Sequence, residues 1–395
     1  MRAVFVHENC FYRTADGAVY SETGFSYRVW ERYLEVFDEL VVIGRAGPAP
    51  EGLAAQESGY LSSGPGVTFR FVPNIKTPKG FVAKRAEARG QICECLERAD
   101  ALIARSSTTG LLGVKIAREL AKPYLIEMVG CPLRAYWHHG SALGKLLAPV
   151  EALQTRLAVR DAPFVLYVTE RFLQKNYPTR GRSIACSDVE LPPQTAGVLT
   201  RRLQKIHRGS RPFTLGLMGA LDLRYKGVRV ALEALSEVLE AEDAPAVQLR
   251  LAGQGDIEHW RGVARDLGVD GHVAFDGVLR GREAVFEWFD ELDLYVQPSL
   301  TEGLPRAVIE AMGRGCPVLA SQVGGIPELL EPKCLHRAGD IGELAGDIRE
   351  AVESVVWREA QAQRNFDAAR RYYSTRLDAR RRAFLGEFAG SIEVS

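Results

Sequence analysis

The chain has 395 residues, more than one hydrophobic core usually serves, so two domains are expected. Lys and Arg together number 50, and Asp and Glu together also number 50, a balance that argues against general nucleic-acid binding. Hydrophobic residues at 46% and charged residues at 25% are typical of a globular enzyme.

Seven cysteines occur in the chain, and their spacing matches neither a metal site nor a disulfide framework. Cys93 and Cys95 lie two residues apart in a helical pattern, so their side chains diverge. This use of cysteine is typical of a reducing compartment. Residues 1–6 resemble a short strand rather than a signal peptide, and no apolar run reaches the roughly 18 residues that cross a membrane. We therefore expect a cytoplasmic location, at the inner face of the cell membrane if the chain contacts a membrane.

The first half of the chain alternates short apolar runs with helical periodicity. The predicted strands are 3–7, 40–44, 67–72, 101–104, 124–129, 164–168 and 183–186, and the predicted helices are 25–37, 110–120 and 142–160. A long polar loop, 8–23, is expected after the first strand. Gly24 then lies where a strand leads into a helix, a position at which the backbone can approach a ligand closely. A helix entry without any ligand is the alternative for Gly24.

A basic segment, 74–89, combines lysines and arginines with two apolar residues. Its members are Lys76, Lys79, Phe81, Val82, Lys84, Arg85 and Arg89. One interpretation is an amphipathic segment at a membrane surface, which would give the protein peripheral membrane contact. The other is an ordinary helix with a solvated charged face, which is the commoner situation.

A group of aromatic residues and histidines follows the strand predicted at 124–129. It reads Tyr136-Trp137-His138-His139 and is expected to form a loop at the carboxyl end of that strand. Loops in this position hold ligands in doubly wound sheets. His139 is therefore a candidate for contact with a sugar or for handling an acceptor. The alternative is a loop packed by aromatic side chains with one exposed histidine.

The second half begins the alternation again, with predicted strands at 213–218, 247–252, 273–276 and 294–296. A loop, 219–227, separates the first of these strands from a predicted helix and contains Arg224 and Lys226. Lysine supplies a compact positive charge and arginine a planar fork of donors, so both suit a diphosphate. Strand and helix alternate in both halves, which predicts two parallel sheets covered by helices.

The stretch 298–330 contains two glutamates eight residues apart, Glu302 and Glu310. A helix is predicted to start near Pro305, since proline is tolerated in the first turn. Eight residues are about 2.2 helical turns, so the two carboxylates would lie within roughly 80° of each other around the axis. The free backbone N–H groups of a helix start bind phosphate. This arrangement suits a sugar linked to a diphosphate, with the helix start formed by Gly303, Leu304, Pro305 and Arg306.

This stretch, with Glu-x7-Glu followed by Pro317-Val318 and then Val-Gly-Gly at 323–325, resembles the retaining glycosyltransferases of family 4. The resemblance implies an α/β fold of the GT-B type, with two Rossmann-like domains facing across a cleft and a C-terminal helix returning to the N-terminal domain. It implies an N-terminal acceptor-binding domain at 1–195, joined by the C-terminal helix at about 375–395. The nucleotide-sugar-binding domain would then span 210–374.

The resemblance implies a hexosyltransferase that moves a sugar from a nucleotide-diphosphate sugar to a saccharide or lipid-linked saccharide acceptor. Such enzymes commonly serve bacterial surface polysaccharide synthesis. No Asp-x-Asp motif stands out near the site, so neither a metal nor a cofactor is expected. Lys226, Arg224 and the helix dipole would neutralise the leaving diphosphate instead. In the mechanism generally assigned to the family, Glu302 binds the donor sugar and is not the nucleophile.

The resemblance also implies that Gly219, Gly253 and Val278 lie close to the donor nucleotide. Three departures from the family pattern accompany it. Ala220 replaces the usual arginine after Gly219, Thr23 replaces a glycine before Gly24, and the strand ending at Val129 lacks the usual histidine. Arg224 and His139 are the expected substitutes for the missing arginine and histidine.

Four other interpretations compete with a transferase. A catalytically silent nucleotide-sugar-binding scaffold would explain Ala220 and the missing histidine. A nucleotide-sugar epimerase could share the fold but lacks Glu-x7-Glu in this form, and a phosphorylase would be far longer. An NAD dehydrogenase requires Gly-x-Gly-x-x-Gly after its first strand, whereas this chain has His7-Glu8-Asn9-Cys10 there.

Overall fold

A computed structural model of the chain describes residues 1–21, 24–47, 60–138, 142–241 and 243–393. The chain divides into two compact units. The N-terminal unit contains residues 1–132, 150–186 and 377–395, and the C-terminal unit contains residues 133–149 and 187–376. The division differs from the expected boundaries chiefly at 133–149, a stretch that the sequence assigned to the N-terminal domain. None of the helices in the described ranges combines the length and apolar character needed to span a bilayer.

The N-terminal unit is built on one mostly parallel sheet. Its strands are β1 Arg2–Arg13, β2 Val19–Ser21, β3 Glu39–Ala46, β4 Tyr60–Leu61, β5 Val67–Val72, β6 Ala101–Arg105, β7 Tyr124–Met128, β8 Phe164–Tyr167 and β9 Arg182–Ala185. The order is β4-β2-β1-β6-β7-β8-β9, and β3 lies beside β1 and carries β5. Strands β6 and β7 are almost entirely buried, as expected of a parallel sheet covered on both faces.

The first strand is longer than the sequence predicted, and the polar loop expected at 8–23 is wrong over the described residues 8–21, which form a hairpin. Strand β1 continues to Arg13 and pairs antiparallel with β2, with Phe11 opposite Ser21. The hairpin forms because its aromatic side chains are buried, and the rings of Tyr12 and Tyr20 stack with their centroids 5.8 Å apart. Gly17 closes the turn at φ +89°, a conformation that favours glycine.

Helices cover the N-terminal sheet. They are α1 Tyr27–Leu34, α2 Pro78–Glu97, α3 Thr108–Glu119, the part of α5 Ala142–Arg160 that begins at Val150, α6 Phe172–Asn176 and, at the end of the chain, α14 Ser374–Glu393. Helix α4, Pro132–Trp137, and the start of α5 lie in the stretch 133–149 that belongs to the C-terminal unit, apart from Pro132 itself. The Ser107 side chain caps α3 by accepting a bond from the Gly110 N–H. In α14, the rings of Phe384 and Phe388 lie 5.6 and 5.3 Å from Phe164. The C-terminal helix therefore returns to the N-terminal unit.

The C-terminal unit contains a second parallel sheet in the order β12-β11-β10-β13-β14-β15. Its strands are β10 Phe213–Met218, β11 Val247–Ala252, β12 Val273–Gly277, β13 Leu294–Gln297, β14 Val318–Ser321 and β15 Leu335–His336. Its helices are α7 Ala196–Arg208, α8 Val228–Leu239, α9 Ile257–Asp266, α10 Gly281–Glu291, α11 Arg306–Gly313, α12 Ile341–Glu353 and α13 Val355–Ala369. The order places β10 and β13 side by side at the centre, so the loops that follow them meet at one edge of the sheet.

Candidate functional site

The carboxyl ends of three neighbouring strands meet through glycine backbones. The Gly219 N–H donates to the Ala252 carbonyl at 3.0 Å, and the Gly253 N–H donates to the Gly277 carbonyl at 2.7 Å. Gly253 has φ +137°, and a Cβ atom there would lie 1.8 Å from the Gly219 carbonyl oxygen. Only glycine fits at 253, because no side chain can enter this contact. The two predicted positions Gly219 and Gly253 therefore adjoin each other at the edge of the sheet.

The loop 219–227 is fastened to the loop that follows β13. Arg224–Lys226 forms a turn of 3-10 helix that ends at Gly227, where φ is +76°. A Cβ atom at Gly227 would lie 2.0 Å from the Pro298 carbonyl oxygen, so the two backbones are in direct contact. The Leu300 N–H also donates to the Tyr225 carbonyl at 2.7 Å. These contacts fix where the side chain of Lys226 begins.

Lys226 and Glu302 form an ion pair at this edge of the sheet. The Lys226 Nζ lies 2.8 Å from the Glu302 Oε1, and the two side chains are only 19% and 9% exposed. The sequence assigned these residues to different parts of one ligand, and the structure brings their charged groups into contact. A ligand that reached the pair would meet a cation and a carboxylate side by side.

Buried polar side chains support the carboxylate of Glu302. Its Oε1 accepts bonds from the Ser299 hydroxyl at 2.8 Å and from the Gln297 Nε2 at 3.2 Å. The Gln297 amide also donates to Ser299, and the Tyr295 hydroxyl donates to the Gln297 Oε1. Hydrogen bonds of this kind hold a carboxylate in one orientation. The sequence analysis missed Gln297 and Ser299, although their alternation with Tyr295, at the end of β13 and directly after it, is a signal that could have found them.

Helix α11 starts directly after this carboxylate. Pro305 precedes its first residue, Arg306, which is exposed, and Val308, Ile309 and Met312 anchor the helix in the core. The Gly303 carbonyl accepts a bond from the Gly325 N–H at 2.7 Å. At Gly324, where φ is +59°, a Cβ atom would lie 2.1 Å from the Glu302 carbonyl oxygen. The Val-Gly-Gly sequence therefore holds the loop of Glu302 and Gly303 at the mouth of the helix, and Leu304 is half-buried there.

Glu310 lies one helical turn beyond Arg306. Burial raises the pKa of the Glu310 carboxyl above its ordinary value, and the Arg306 guanidinium partly opposes this rise. Glu190 raises the pKa of Glu310 further and Arg282 lowers it, and these two residues form an ion pair at 3.8 Å. The sequence analysis missed both residues, because Glu190 lies near the end of the expected N-terminal domain and neither residue belongs to a motif.

The remaining predicted residues have separate positions. Arg224 is exposed and forms no salt bridge within the part of the chain that the structure describes. Val278 is exposed directly after β12. Gly24 is exposed in the N-terminal unit, shortly before α1. His139 lies outside the described residues, and the loop predicted around it is wrong on its N-terminal side, because Tyr136 and Trp137 end helix α4.

A polar cluster also occurs in the N-terminal unit, at the carboxyl ends of β6 and β7. The Tyr33 hydroxyl donates to the Glu127 Oε1 at 2.7 Å, and the Arg105 Nη1 lies 3.9 Å from the Glu127 Oε2. Glu127 is buried. Among the residues described in both units, no group of three His, Cys, Asp or Glu side chains is placed to hold a metal ion.

Comparisons with known proteins show the family to which the chain is similar. The family model described as Glycosyl transferases group 1 matches residues 212–354. The chain is 30% identical to Protein CapJ of Staphylococcus aureus over 371 residues, which are 92% of this chain and 90% of that protein. It is 34% identical over 113 residues to the amylovoran biosynthesis glycosyltransferase AmsK of Erwinia amylovora, 27% of each chain.

The fold has a counterpart among solved structures. The crystal structure of Anabaena HepE in complex with UDP and glucose superposes with a TM-score of 0.66 over 100% of both chains, at 18% sequence identity. The chain therefore belongs to the group 1 glycosyltransferases, the family 4 type with the GT-B fold.

Proposed function

We propose that the protein is a retaining hexosyltransferase that moves a sugar from a nucleotide-diphosphate sugar to a saccharide or lipid-linked saccharide. The observation that carries the proposal is the Lys226–Glu302 pair at the mouth of helix α11. Two relatives support it, since AmsK is named for amylovoran biosynthesis and HepE was solved with UDP and glucose. By that similarity, the acceptor belongs to the synthesis of a bacterial surface polysaccharide.

The diphosphate is assigned to Lys226, to Arg224 and to the start of α11. An ammonium group has three N–H donors, and in the free protein one of those of Lys226 points to Glu302. The others are available to phosphate oxygens. Arg224, two residues earlier on the same turn, adds a planar fork of donors. The N–H groups of the residues that open α11, from Gly303 to Arg306, add the positive end of the helix dipole.

The sugar and the nucleoside are assigned to the neighbouring groups. Glu302 accepts hydrogen bonds from sugar hydroxyls, while Ser299 and Gln297 hold its carboxylate in place. Glu310 accepts bonds from the ribose hydroxyls. The backbones at Gly219, Gly253 and Val278 lie along the base, where a close approach needs no particular side chain. Gly24 and His139 stay predictions for the donor phosphates and the acceptor.

The transfer is proposed to take place on one face of the sugar without a metal ion. The bond from the sugar C1 to the diphosphate oxygen breaks, and a bond from C1 to the acceptor oxygen forms on the same face. The acceptor proton passes to the leaving phosphate oxygen. Lys226, Arg224 and the helix dipole stabilise the charge that develops on the diphosphate. Glu302 orients the sugar and forms no covalent bond to it.

The lipid-linked acceptor would require the protein to work at a membrane, with contact through 74–89. In the structure this segment includes the start of α2, where the Thr77 side chain caps the helix by accepting a bond from Gly80. Lys84 and Arg89 are exposed, and Arg89 pairs with Glu119 at 2.5 Å. The side chains of Lys79, Phe81 and Val82 lie outside the described residues, so the two interpretations of this segment both stay open.

The test is a thermal-shift panel of UDP, GDP, ADP, CMP and TDP, with and without an attached sugar, in EDTA. A ligand at 100 times its Kd should stabilise the protein by about 2.7 kcal/mol. We expect one nucleotide diphosphate to raise the melting temperature without metal, and NMR of the product to show the donor's anomeric configuration. Inversion of that configuration would contradict the mechanism. Slow hydrolysis of the donor without an acceptor would favour the enzyme. Tight donor binding with neither turnover nor hydrolysis would favour the silent scaffold.

A further inference from the structure

A cavity in the N-terminal unit is lined by four arginines. It has a volume of about 440 Å³ and lies along β5, beside the end of α2. The four are Arg2, Arg13, Arg70 and Arg98, and Glu94 is the one acidic residue among the described residues that line it. The volume falls within the roughly 300–1,000 Å³ that is usual for a small-molecule site. Cations outnumber anions on its walls.

The arginines reach the cavity from three separate elements. Arg2 is near the start of β1, and Arg13 ends the same strand. Arg70 lies in β5, and Arg98 directly follows the last residue of α2. Charges on an ordinary solvated face follow the period of one element. Strand β3 lies between β1 and β5, so the order of the strands, rather than the local sequence, brings these side chains to one cavity.

Two of the arginines are paired with exposed carboxylates. The Arg98 Nη2 lies 3.6 Å from the Glu94 Oε1, and both side chains are more than half exposed. The Arg2 Nε lies 3.3 Å from the Glu39 Oε2, and the Glu39 side chain is also more than half exposed. Exposed ion pairs are weak, and a guanidinium has five N–H donors. Both arginines therefore keep donors for an anion that enters the cavity.

The other two arginines, Arg13 and Arg70, are exposed and have no carboxylate partner within the described residues. The Arg13 guanidinium instead lies over the ring of Phe71, with its central carbon 5.5 Å from the ring centroid. Stacking of this kind orients the guanidinium plane and leaves the N–H groups at its edge available. Arg13 and Arg70 are therefore the donors that an anion in the cavity would engage.

A cysteine on the wall responds to the charge of the cavity. Cys95 lines the cavity and is partly exposed. Burial raises the pKa of the Cys95 thiol, and Glu94 adds to the rise. The guanidinium groups of Arg70, Arg2 and Arg98 oppose it. Three positive charges therefore act on one sulfur atom, which agrees with their convergence on the cavity.

The excess of positive charge favours an anion with more than one negative charge. Glu94 is on the wall and Glu39 pairs with Arg2, so two of the four arginine charges stay uncompensated. A phosphate group carries about 1.5–2 negative charges at pH 7, whereas a carboxylate carries one. Phosphate oxygens also match the planar fork of a guanidinium. The cavity has the charge and the donors that a phosphate group requires.

We propose that this cavity binds a small anion of the phosphate class that bears about two or more negative charges. Arg13 and Arg70 donate to its oxygens, while Arg2 and Arg98 supply further positive charge around it. Thr68 is exposed on the wall and adds a hydroxyl group. The cavity lies wholly in the N-terminal unit, whereas the donor is assigned to the C-terminal unit. The inference is therefore independent of the proposed function.

The experiment measures occupancy through Cys95 and uses Cys93 as the control in the same molecule. Cys93 lies on the same helix and is also partly exposed, but it is not among the described residues that line the cavity. The full chain is treated with iodoacetamide, a neutral reagent, with and without pyrophosphate. Sodium chloride keeps the ionic strength constant, because salt alone screens the arginines. Mass spectrometry measures the alkylation rate of each cysteine.

Pyrophosphate should slow the alkylation of Cys95 and leave that of Cys93 unchanged. A bound anion covers the Cys95 thiol and offsets the arginines that lower its pKa, so both effects reduce the reactive thiolate. At ten times its Kd the anion occupies about nine-tenths of the sites, and the Cys95 rate should fall by about fivefold or more.

A double substitution tests the two unpaired arginines. Arg13→Gln combined with Arg70→Gln should raise the Kd for pyrophosphate by about tenfold or more, because charge-assisted hydrogen bonds are lost. Arg156→Gln combined with Arg180→Gln is the matched control, since it removes two exposed arginines of the same unit that do not line the cavity. The control should be protected like wild type. Both double variants should stay folded, because all four side chains are exposed.

The proposal is overturned if pyrophosphate leaves the Cys95 rate of wild type unchanged or slows both cysteines equally. It is also overturned if Cys95 is protected equally well in the variant that lacks Arg13 and Arg70. Lys226→Met separates the cavity from the proposed donor site, and the protection of Cys95 should persist in that variant. Loss of the protection there would trace it to the donor site and overturn the proposal.

A phosphate group can belong to a free ion or to a larger phosphorylated molecule, so glucose 1-phosphate is tested beside pyrophosphate. Stronger protection by pyrophosphate supports the cavity as a site for a free polyphosphate. Stronger protection by glucose 1-phosphate supports it as a site for a phosphorylated sugar, with the sugar in the remaining volume. Protection by neither compound overturns the proposal.

Discussion

Each of the two units is built on its own mostly parallel sheet, but different kinds of contact hold the edges of the two sheets. In the C-terminal unit, backbone meets backbone at the carboxyl edge, through Gly219, Gly253 and Gly227. In the N-terminal unit, strand β1 extends into a hairpin that aromatic side chains bury, with Phe11 packed 5.2 Å from Phe69. A backbone contact accepts only glycine, whereas a packed core accepts many combinations of apolar residues of similar volume.

This difference explains where a family signature can be read. The model of the group 1 glycosyltransferases matches 212–354, all of it within the C-terminal unit. There, the backbone contacts require glycine at particular positions, which favours a signature that a family model can match. The N-terminal unit also has such a contact at Gly110, where a Cβ atom would lie 2.0 Å from the Arg105 carbonyl oxygen. Its aromatic hairpin, however, fixes volume and polarity, and its polar cluster around Glu127 follows no motif. The comparison predicts that substitutions in the two units fail in different ways.

The largest effect is expected for Lys226→Met. Turnover should fall by about 100-fold or more, because the main cation for the leaving diphosphate is lost. Stability should fall by about 2–3 kcal/mol, because the nearly buried Glu302 loses its partner. Steady-state kinetics and thermal unfolding measure the two effects.

Ligand affinity tests the role of Lys226 separately. The affinity for the nucleotide diphosphate should fall more than the affinity for the nucleoside. Lys333→Met, which removes an exposed lysine from the same unit, is the control and should change neither. An equal loss of affinity for both ligands in the Lys226 variant would contradict the phosphate-binding role assigned to Lys226.

A backbone contact should be the next most sensitive feature. Gly253→Ala places a methyl group 1.8 Å from the Gly219 carbonyl oxygen and strains a φ of +137°. We expect a loss of about 3 kcal/mol of unfolding free energy, measured by urea titration. Gly262→Ala is the control, because the same change in helix α9 meets no atom within 4 Å and should stabilise by about 0.5–1 kcal/mol. Similar stabilities for both variants would show that this edge of the sheet relaxes freely.

Much of the fold could be predicted from the sequence, and the pairing within the site could not. Short apolar runs predicted the strands β10 and β13, and Pro305 predicted the start of the helix α11. These signals did not show that Lys226 contacts Glu302, because the two are 76 positions apart and meet only through the order of the strands. The hairpin after β1 was missed because its buried aromatic residues are interrupted by polar ones. Glu190 was missed because a residue near Glu310 in space has no signal in the local sequence.

A substitution in the polar cluster around Glu127 of the N-terminal unit should lower the stability of the protein and leave nucleotide binding unchanged. Tyr33→Phe removes the hydroxyl that donates to Glu127 at 2.7 Å. The expected cost is about 1–2 kcal/mol, since a buried carboxylate loses one hydrogen bond. The response of the melting temperature to a nucleotide diphosphate should stay the same, because this cluster belongs to the other unit. A variant that folds stably but no longer responds to nucleotide would contradict the assignment of the donor to the C-terminal unit.

The smallest effect concerns the protonation of Glu310. Burial raises its pKa above the ordinary value of 4.5, so protonation begins at a higher pH than for an exposed glutamate. A protonated carboxyl accepts hydrogen bonds from ribose hydroxyls poorly, so the nucleotide affinity should fall as the pH is lowered from 7. The stability of the ligand-free protein should change in the opposite direction and rise as the pH falls. A folded-state pKa above the unfolded value contributes stability at low pH, and this contribution is lost as pH rises through the folded pKa. Glu310→Gln should remove both trends in calorimetric titrations and thermal unfolding, and an unchanged pH dependence in that variant would assign the titration to another group.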